Sequence, residues 1–307
     1  MCVKLDLSGL VGNRAGWHDG PVPEMPEVDA LVADLRARMT GAVVAGVEPA
    51  SFAVLKTFDP PLDALLGLTV TGVHRHGKFI DIDVDGLHLV IHLAKAGWLR
   101  WSDKLATTRL KMGNGPIALR LRLDLGEGPT SGFDLTEAGT RKGLAVYLVR
   151  DPADVPGIAA LGPDPLGEGF ELRPLLARRM QVKRLLRDQK ILAGIGNAYS
   201  DEILHAAKLS PFAIAEKLDD AEIGRLETAI TEVLTEALQE AHGKPPAELK
   251  DDKRTRMRVH GRTGEPCPVC GDTVAEVVFS GSSLQYCPTC QTDGKPLKDR
   301  STSKFVK

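Results

Sequence analysis

No run of the 307-residue sequence stays apolar for anything near the roughly 20 residues a membrane-spanning helix needs, so a helical membrane protein is excluded. The first 21 residues lack a signal peptide's compact apolar core and small-residue cleavage site, and the chain is expected to be cytoplasmic. Charge of one sign is also missing. The net charge is −2, which does not advertise nucleic-acid binding by the chain as a whole. There are no internal repeats and no long low-complexity segments, so a solenoid or a disordered scaffold is not expected. Neither G-x-G-x-x-G nor a Walker lysine occurs, and Gly194-Ile195-Gly196-Asn197 follows no predicted strand, which removes the common nucleotide-binding motifs. Cysteine is scarce at five, with four in two tight pairs and the fifth, Cys2, near the start. What remains is ordinary for a globular chain with room for two domains: 43% hydrophobic and 26% charged residues.

The first convincing element begins at Val22-Pro23-Glu24-Met25-Pro26-Glu27-Val28-Asp29. Pro26 suits a first helical turn, where its fixed φ helps and its missing N–H is not needed. Val28, Leu31, Val32 and Leu35 then recur at helical spacing and Gly41 ends the run. Short alternating segments follow: Lys78–Val84, an Asp85-Gly86 turn, Leu87–Leu93, a strand through Leu119, Leu121, Leu123 and Leu125, and Ala145–Val149. Residues 22–150 therefore read as a β-sandwich with one leading helix. Residues 151–170, rich in proline and glycine, read as a linker. Helical patterns return over Glu171–Arg179, Val182–Leu192, Ala198–Ala207 and Asp219–Ala241, with Asn197 as an N-cap candidate. Residues 171–250 form this helical domain, 251–292 a cysteine-bearing hairpin, and 293–307 a basic tail. Residues 1–21 show no periodicity.

Cys267-x-x-Cys270 and Cys287-x-x-Cys290 stand sixteen residues apart. Two such knuckles complete a tetrahedral thiolate site for a structural zinc; two disulfides are the alternative. Arg173–Lys190 carries seven cations against Asp188 alone, and Lys253–Arg262 carries five with no acid. Such clusters are either solvated faces or phosphate-binding surfaces. Lys78 by itself reads as a solvated lysine. Pro23 poses a contradiction. A free terminal proline is a secondary amine able to form an iminium, with a neighbouring carboxylate to move protons, but an internal proline nitrogen is an amide.

Together these motifs resemble the formamidopyrimidine-DNA glycosylase/endonuclease VIII family over residues 22–292. The resemblance rests on Pro23-Glu24-x-Pro26-Glu27-Val28, His76-Gly77-Lys78, Leu161-Gly162-Pro163-Asp164-Pro165-Leu166, Asp188-Gln189-Lys190 with Gly194-Ile195-Gly196-Asn197-Ala198-Tyr199, and Gly261-Arg262-Thr263-Gly264-Glu265-Pro266 before the cysteines. It implies an α+β multidomain protein: a β-sandwich with a leading helix, a helix-two-turn-helix domain and a four-cysteine zinc hairpin. It implies base-excision repair by a bifunctional DNA glycosylase/AP lyase that flips out an oxidised base. Pro23 matches the attacking amine, Glu24 the residue that handles protons at the sugar, and Lys78 the lysine that holds the flanking phosphate and assists elimination. Lys183 and Asn197 match residues that grip the DNA backbone. Cys267, Cys270, Cys287 and Cys290 match the ligands of one structural zinc ion. The expected partner is damaged double-stranded DNA in the bacterial nucleoid, bound by a monomer with no membrane involved.

In that family the proline directly follows the initiator methionine. Here position 22 is valine, and GTG encodes valine internally but can initiate bacterial translation as methionine. Residues 1–21 are therefore expected to be an upstream misreading, with removal of the residue at Val22 freeing Pro23. Met25 is the rival start. Three departures concern substrate. Lys95 stands where a base-replacing methionine is found, Arg141 in Thr140-Arg141-Lys142-Gly143 is the nearest match to an Arg-Arg-Phe wedge without its phenylalanine, and Ser282 replaces a phosphate-binding arginine. These argue against a preference for 8-oxoguanine and against a second, δ-elimination step. They point to formamidopyrimidines, further-oxidised bases or abasic sites. The rival readings are a non-catalytic damaged-DNA binder with a blocked proline and a zinc-ribbon interaction module.

Overall fold

The structure is a computed structural model that describes residues 22–298 apart from 114, 127, 139–141 and 280–281. The leader 1–21, Arg141 and the tail from 299 lie outside the described residues.

Helix α1 (Met25–Met39) opens the described chain with Pro26 in its first turn. Its apolar stripe is buried as the spacing demands: Val28, Leu31, Val32 and Leu35 are at most 3% exposed. Eight strands follow: β1 (Val43–Pro49), β2 (Val70–His76), β3 (Phe79–Val84), β4 (Leu87–His92), β5 (Gly97–Ser102), β6 (Ile117–Asp124), β7 (Ser131–Glu137) and β8 (Ala145–Val149). They build two antiparallel sheets, β1-β6-β7-β5 and β2-β3-β4-β8. The Asp85-Gly86 turn joins β3 to β4 with both residues at positive φ, 48° and 81°, the backbone a two-residue hairpin favours. Ile80, Ile82, Leu89, Ile91, Leu119, Leu121 and Leu123 meet between the sheets and against α1 in one apolar core.

The connecting segment carries the short α2 (Pro156–Ala159), whose Ile158 packs on the β2-β3-β4-β8 sheet, and the helical half holds α3 (Arg173–Leu176), α4 (Val182–Arg187), α5 (Asn197–Ala206), α6 (Asp220–Ala241) and α7 (Leu249–Arg256). The hairpin β9 (Ala275–Phe279) with β10 (Ser282–Tyr286) and the short α8 (Pro288–Thr292) follow. Three of the expected helical features differ from the sequence pattern. The helix expected over 171–179 shrinks to α3, because the backbone leaves helical space at Ala177, ψ 51°. The helix expected over 182–192 stops at Arg187. Asp188 turns out at ψ 106° and its carboxylate accepts the Lys190 N–H at 3.0 Å. Asn197 is the first residue of α5, not its cap; the cap position is Gly196.

Two cores result, and they interlock. Met25, from the first turn of α1, packs in the helical core with Leu185, Ile195, Tyr199 and Leu226. Ala241 and Leu249, from α6 and α7, pack in the sandwich core. Arg75 in β2 reaches Asp29 of α1 at 2.9 Å and Asp164 of the connecting segment at 2.7 Å.

Candidate active site

The chemistry-bearing residues gather where the two cores interlock. Asp188 and Gln189 shape the turn behind α4. The Gln189 side chain donates to the Ile195 carbonyl at 2.7 Å and accepts the Gly194 N–H at 2.9 Å. This holds Gly194-Ile195-Gly196 against the start of α1, where the Met25 N–H donates to the Gly194 carbonyl at 3.0 Å. The first N–H groups of α5 then face α1, and a helix N-terminus without its own side-chain cap needs an acceptor.

Glu24 supplies it from across the junction. Its carboxylate accepts from the N–H groups of Gly196, Ala198 (2.9 Å) and Tyr199 (3.4 Å). A side chain at position 196 has no room, since a Cβ there would sit 2.4–2.7 Å from the Glu24 carboxylate atoms. Burial alone would raise the Glu24 pKa. Lys253, Lys78, the Ala198 N–H and His260 outweigh it and hold the carboxyl below its ordinary value. Glu24 is therefore an ionised, preorganised carboxylate next to buried Pro23.

Glu27, one helical turn on, is equally buried and fully engaged. It accepts from the Glu24 N–H at 2.8 Å, the Tyr199 hydroxyl at 2.6 Å and the Lys253 ammonium at 2.8 Å. Lys253 also donates to the Val22 carbonyl at 3.0 Å.

Lys78 enters from the Gly77-Lys78 turn between β2 and β3. Gly77 takes φ +55°, and its Cα face lies against Leu161 of the connecting segment. Among the described residues Lys78 makes no hydrogen bond or ion pair of its own. Burial, helped by Lys253 and Arg187, pushes its amine below the usual lysine range against the opposing pull of Glu24 and Glu27. His92, at the end of β4, is neutral. Burial and the Lys78 charge bring it down to about 4.

The residues expected on the DNA face separate into groups. Lys95 lies exposed in the turn after β4. Asn197 donates to the Ser283 carbonyl at 2.8 Å and so ties α5 to the β9–β10 hairpin. Lys183 turns inward. It is 4% exposed and donates to Asp201 at 2.6 Å, Ser200 at 2.8 Å and the Asn197 carbonyl at 3.2 Å. The exposed cations nearby are Arg184 and Arg187, which line a groove of about 400 Å³ with Ser282 and Ser283. Much of the remaining basic cluster is paired: Arg173 with Asp220, Arg256 with Glu240, Arg258 with Glu236.

The four paired cysteines converge with their sulfurs all within 4.8 Å. Cys267 lies 3.9 Å from Cys290 and Cys270 lies 3.3 Å from Cys287. These gaps are far beyond a disulfide's roughly 2 Å and near the roughly 3.8 Å edge of a tetrahedron with 2.3 Å metal–sulfur bonds. The donor set fits a closed structural metal site. His205 of α5 points Nε2 at the Cys267 sulfur, 3.3 Å away, and links the knuckle to the helical core.

A β-sandwich facing a helical domain and a four-cysteine hairpin, with a Pro-Glu pair at the junction, is the architecture of a DNA-repair glycosylase. Family models agree along the chain. The formamidopyrimidine-DNA glycosylase N-terminal domain matches residues 22–142, the H2TH domain of the same glycosylase matches 161–245, and the zinc finger found in FPG and IleRS matches 264–292. An uncharacterised formamidopyrimidine-DNA glycosylase-like protein of Mycobacterium tuberculosis is 54% identical over 157 residues, 50% of this chain and 99% of the relative. The formamidopyrimidine-DNA glycosylase of Thermus thermophilus is 34% identical over 290 residues, covering 89% of this chain and 100% of the relative. Among solved structures, the Lactococcus lactis enzyme bound to abasic-site DNA superposes with a TM-score of 0.76 at 25% identity, covering 88% of this chain and 99% of that one. The chain belongs to the formamidopyrimidine-DNA glycosylase family.

Sequence reasoning missed Lys253, which sat in a basic run with no apolar spacing to mark it as buried. It also missed Tyr199 as the hydroxyl partner of Glu27; only its place in the Gly-Ile-Gly-Asn-Ala-Tyr motif hinted at a role.

Proposed function

We propose that this protein is a bifunctional DNA glycosylase and AP lyase that uses the Pro23 amine, freed when translation begins at Val22 and that residue is removed. The observation that carries the reading is the ionised Glu24 carboxylate, locked on the α5 N-terminus beside Pro23, with Lys78 close enough to lower its pKa. The family's N-terminal model also starts its match at residue 22. A terminal amine titrates near roughly 8, so a useful fraction is unprotonated at neutral pH.

In this reading the Pro23 lone pair attacks C1′ of the damaged nucleotide. The glycosidic bond breaks with its electron pair leaving on the base. The ionised Glu24 carboxylate takes the proton that the proline nitrogen sheds on attack and hands it to the sugar ring oxygen as the ring opens to an iminium. The C2′ proton then passes to water, its C–H electron pair forms the C2′–C3′ double bond as the C3′–O pair leaves on the 3′ phosphate and nicks the strand, and water hydrolyses the iminium to release the proline. Lys78, turned towards the junction with a lowered pKa, serves the flanking phosphate and the elimination. Lys95, Asn197 and Arg141 act on the duplex, and Lys183 contributes by holding Asn197 and the start of α5. One zinc ion held by Cys267, Cys270, Cys287 and Cys290 fixes the hairpin and takes no part in the chemistry. Abasic DNA and formamidopyrimidine-containing DNA are bound by Lactococcus lactis relatives, and the same lesion classes are proposed here.

Borohydride trapping on an abasic duplex tests this with two proteins, one beginning at Pro23 and one at Met1. A covalent adduct from the first alone is the expected result. Adduct formation by the full chain with its leader intact would overturn the role of the proline amine. A second reading is favoured by the Lys253–Val22 contact, which accommodates an acylated proline: the full chain then binds lesions without cutting them. Tight lesion binding with no adduct from either protein would select it.

A further inference from the structure

Lys253 is the least expected group near the proline. It lies on α7, a helix of polar composition, yet it is only 2% exposed. Its ammonium donates to Glu27 at 2.8 Å, stands 3.8 Å from Glu24 and sits 4.5 Å from the centre of the Tyr199 ring. The rest of α7 aims it there. Leu249 is buried in the sandwich core, and Lys250 lies 4.5 Å over the ring of Trp98, whose indole N–H donates to the Pro246 carbonyl at 3.1 Å. Burying a lysine is costly unless carboxylates and acceptors receive it, and here these come from residues 22–27, at and just before the start of α1, with the Tyr199 ring beside them.

The second hydrogen-bond acceptor of Lys253 is the Val22 carbonyl, at 3.0 Å. The oxygen and nitrogen of one peptide are about 2.3 Å apart, so the ammonium lies within roughly 5 Å of the Pro23 nitrogen. We propose that Lys253 is a positioning residue of the proline site: it orients the Glu24–Glu27 pair and keeps a cation beside the Pro23 nitrogen so that the freed amine stays unprotonated. The inference rests on the proline chemistry proposed above. The charged and titratable groups that act on Glu24, Lys78 and Tyr199 around this nitrogen come from every packed element: Glu24 and Glu27 at the start of α1, Lys78 from the β2–β3 turn, Lys183 and Arg187 from α4, Tyr199 from α5, Lys253 and Arg256 from α7 and His260 just beyond it. The two carboxylates favour the ammonium form of the proline, and the cations oppose them. Lys253 touches both carboxylates, so its removal leaves them dominant and moves the proline midpoint upwards. One unit charge at this distance and in a partly solvated site is worth on the order of one pH unit or more.

The test uses chains beginning at Pro23: wild type, Lys253→Met and Lys253→Arg. Single-turnover borohydride trapping on an abasic duplex is followed from pH 5.5 to 9.5, and the proline amine is titrated directly by NMR with isotope-labelled proline. Lys253→Met is expected to lose about tenfold in trapping rate at pH 7, to recover most of it at pH 9, and to show a raised amine midpoint. Lys253→Arg is expected to keep the wild-type midpoint. A Lys253→Met rate lowered by one factor at every pH, an unmoved amine midpoint, or an equal displacement in both variants would overturn the inference while leaving the proline chemistry standing. No adduct from the wild-type chain at any pH would overturn the proline chemistry and this inference with it.

Discussion

At the scale of single residues, the site depends on what is absent at position 196 as much as on what is present at 24. Gly196→Ala would drive a methyl into the Glu24 carboxylate, 2.4–2.7 Å away. The expected result is a trapping rate reduced by about two orders of magnitude, with a stability loss of about 1–3 kcal/mol seen in thermal melts. His92 makes a second prediction. Its folded midpoint, about 4, lies below the ordinary histidine value of 6.5 because burial and Lys78 disfavour its charged form. The unfolded chain therefore binds more protons between those values, and stability falls as pH drops through that window. His92→Gln should remove on the order of 2 kcal/mol of that fall between pH 7 and pH 4.5 in urea titrations. Pro23, Glu24, Lys78 and the cysteines stand out in the sequence because their motifs are local. Lys183 stands out only through the family resemblance, as a backbone contact, and Lys253 not at all, since each is a cation in a basic run. Only the folded chain shows Asp201, Glu27 and Glu24 drawing them inward.

Among the elements, those with a clear apolar period or a turn signal at their start were legible and the others were not. β3, β4, β6 and β8 alternate or begin at clear turns and lie close to where the pattern puts them. β1 and β2 each shift register at a glycine, between Val44 and Gly46 and between Val70 and Gly72, which breaks the alternation. β7 alternates only through Phe133 and Leu135 against Asp134 and Thr136, too short a run to mark a strand. α7 has almost no apolar face, and tertiary contacts alone make it a helix that matters. The hairpin of β9 and β10 is small enough to rely on its metal. Chelating the proposed zinc, or Cys287→Ser, is expected to loosen the hairpin and the Asn197–Ser283 link. Proteolysis should then cut within 265–292, with duplex affinity falling at least tenfold and the sandwich left folded. Intact resistance to proteolysis in the chelated protein would count against a structural metal.

Across the whole molecule, a net charge of −2 conceals a local basic face, while Arg173, Arg256 and Arg258 nearby are paired with acids. Exposed Arg184 and Arg187 border the groove between α4 and the hairpin. Replacing both by Glu should weaken duplex binding regardless of sequence and flatten its salt dependence by roughly two in the log–log slope. The two-part organisation and the order of the parts were legible in composition, with the Pro/Gly-rich segment between them. Their interlocking was not, because it depends on single residues lodged in the opposite core. Met25 belongs to the helical core, Leu249 to the sandwich core, and the cap of α5 is borrowed from the residue just before α1. Cut in the segment between its halves, such a chain would yield two pieces that are each unfinished. Mixed together, they should regain activity only as they pair, with a yield set by concentration, so the protein could serve as its own fragment-complementation reporter.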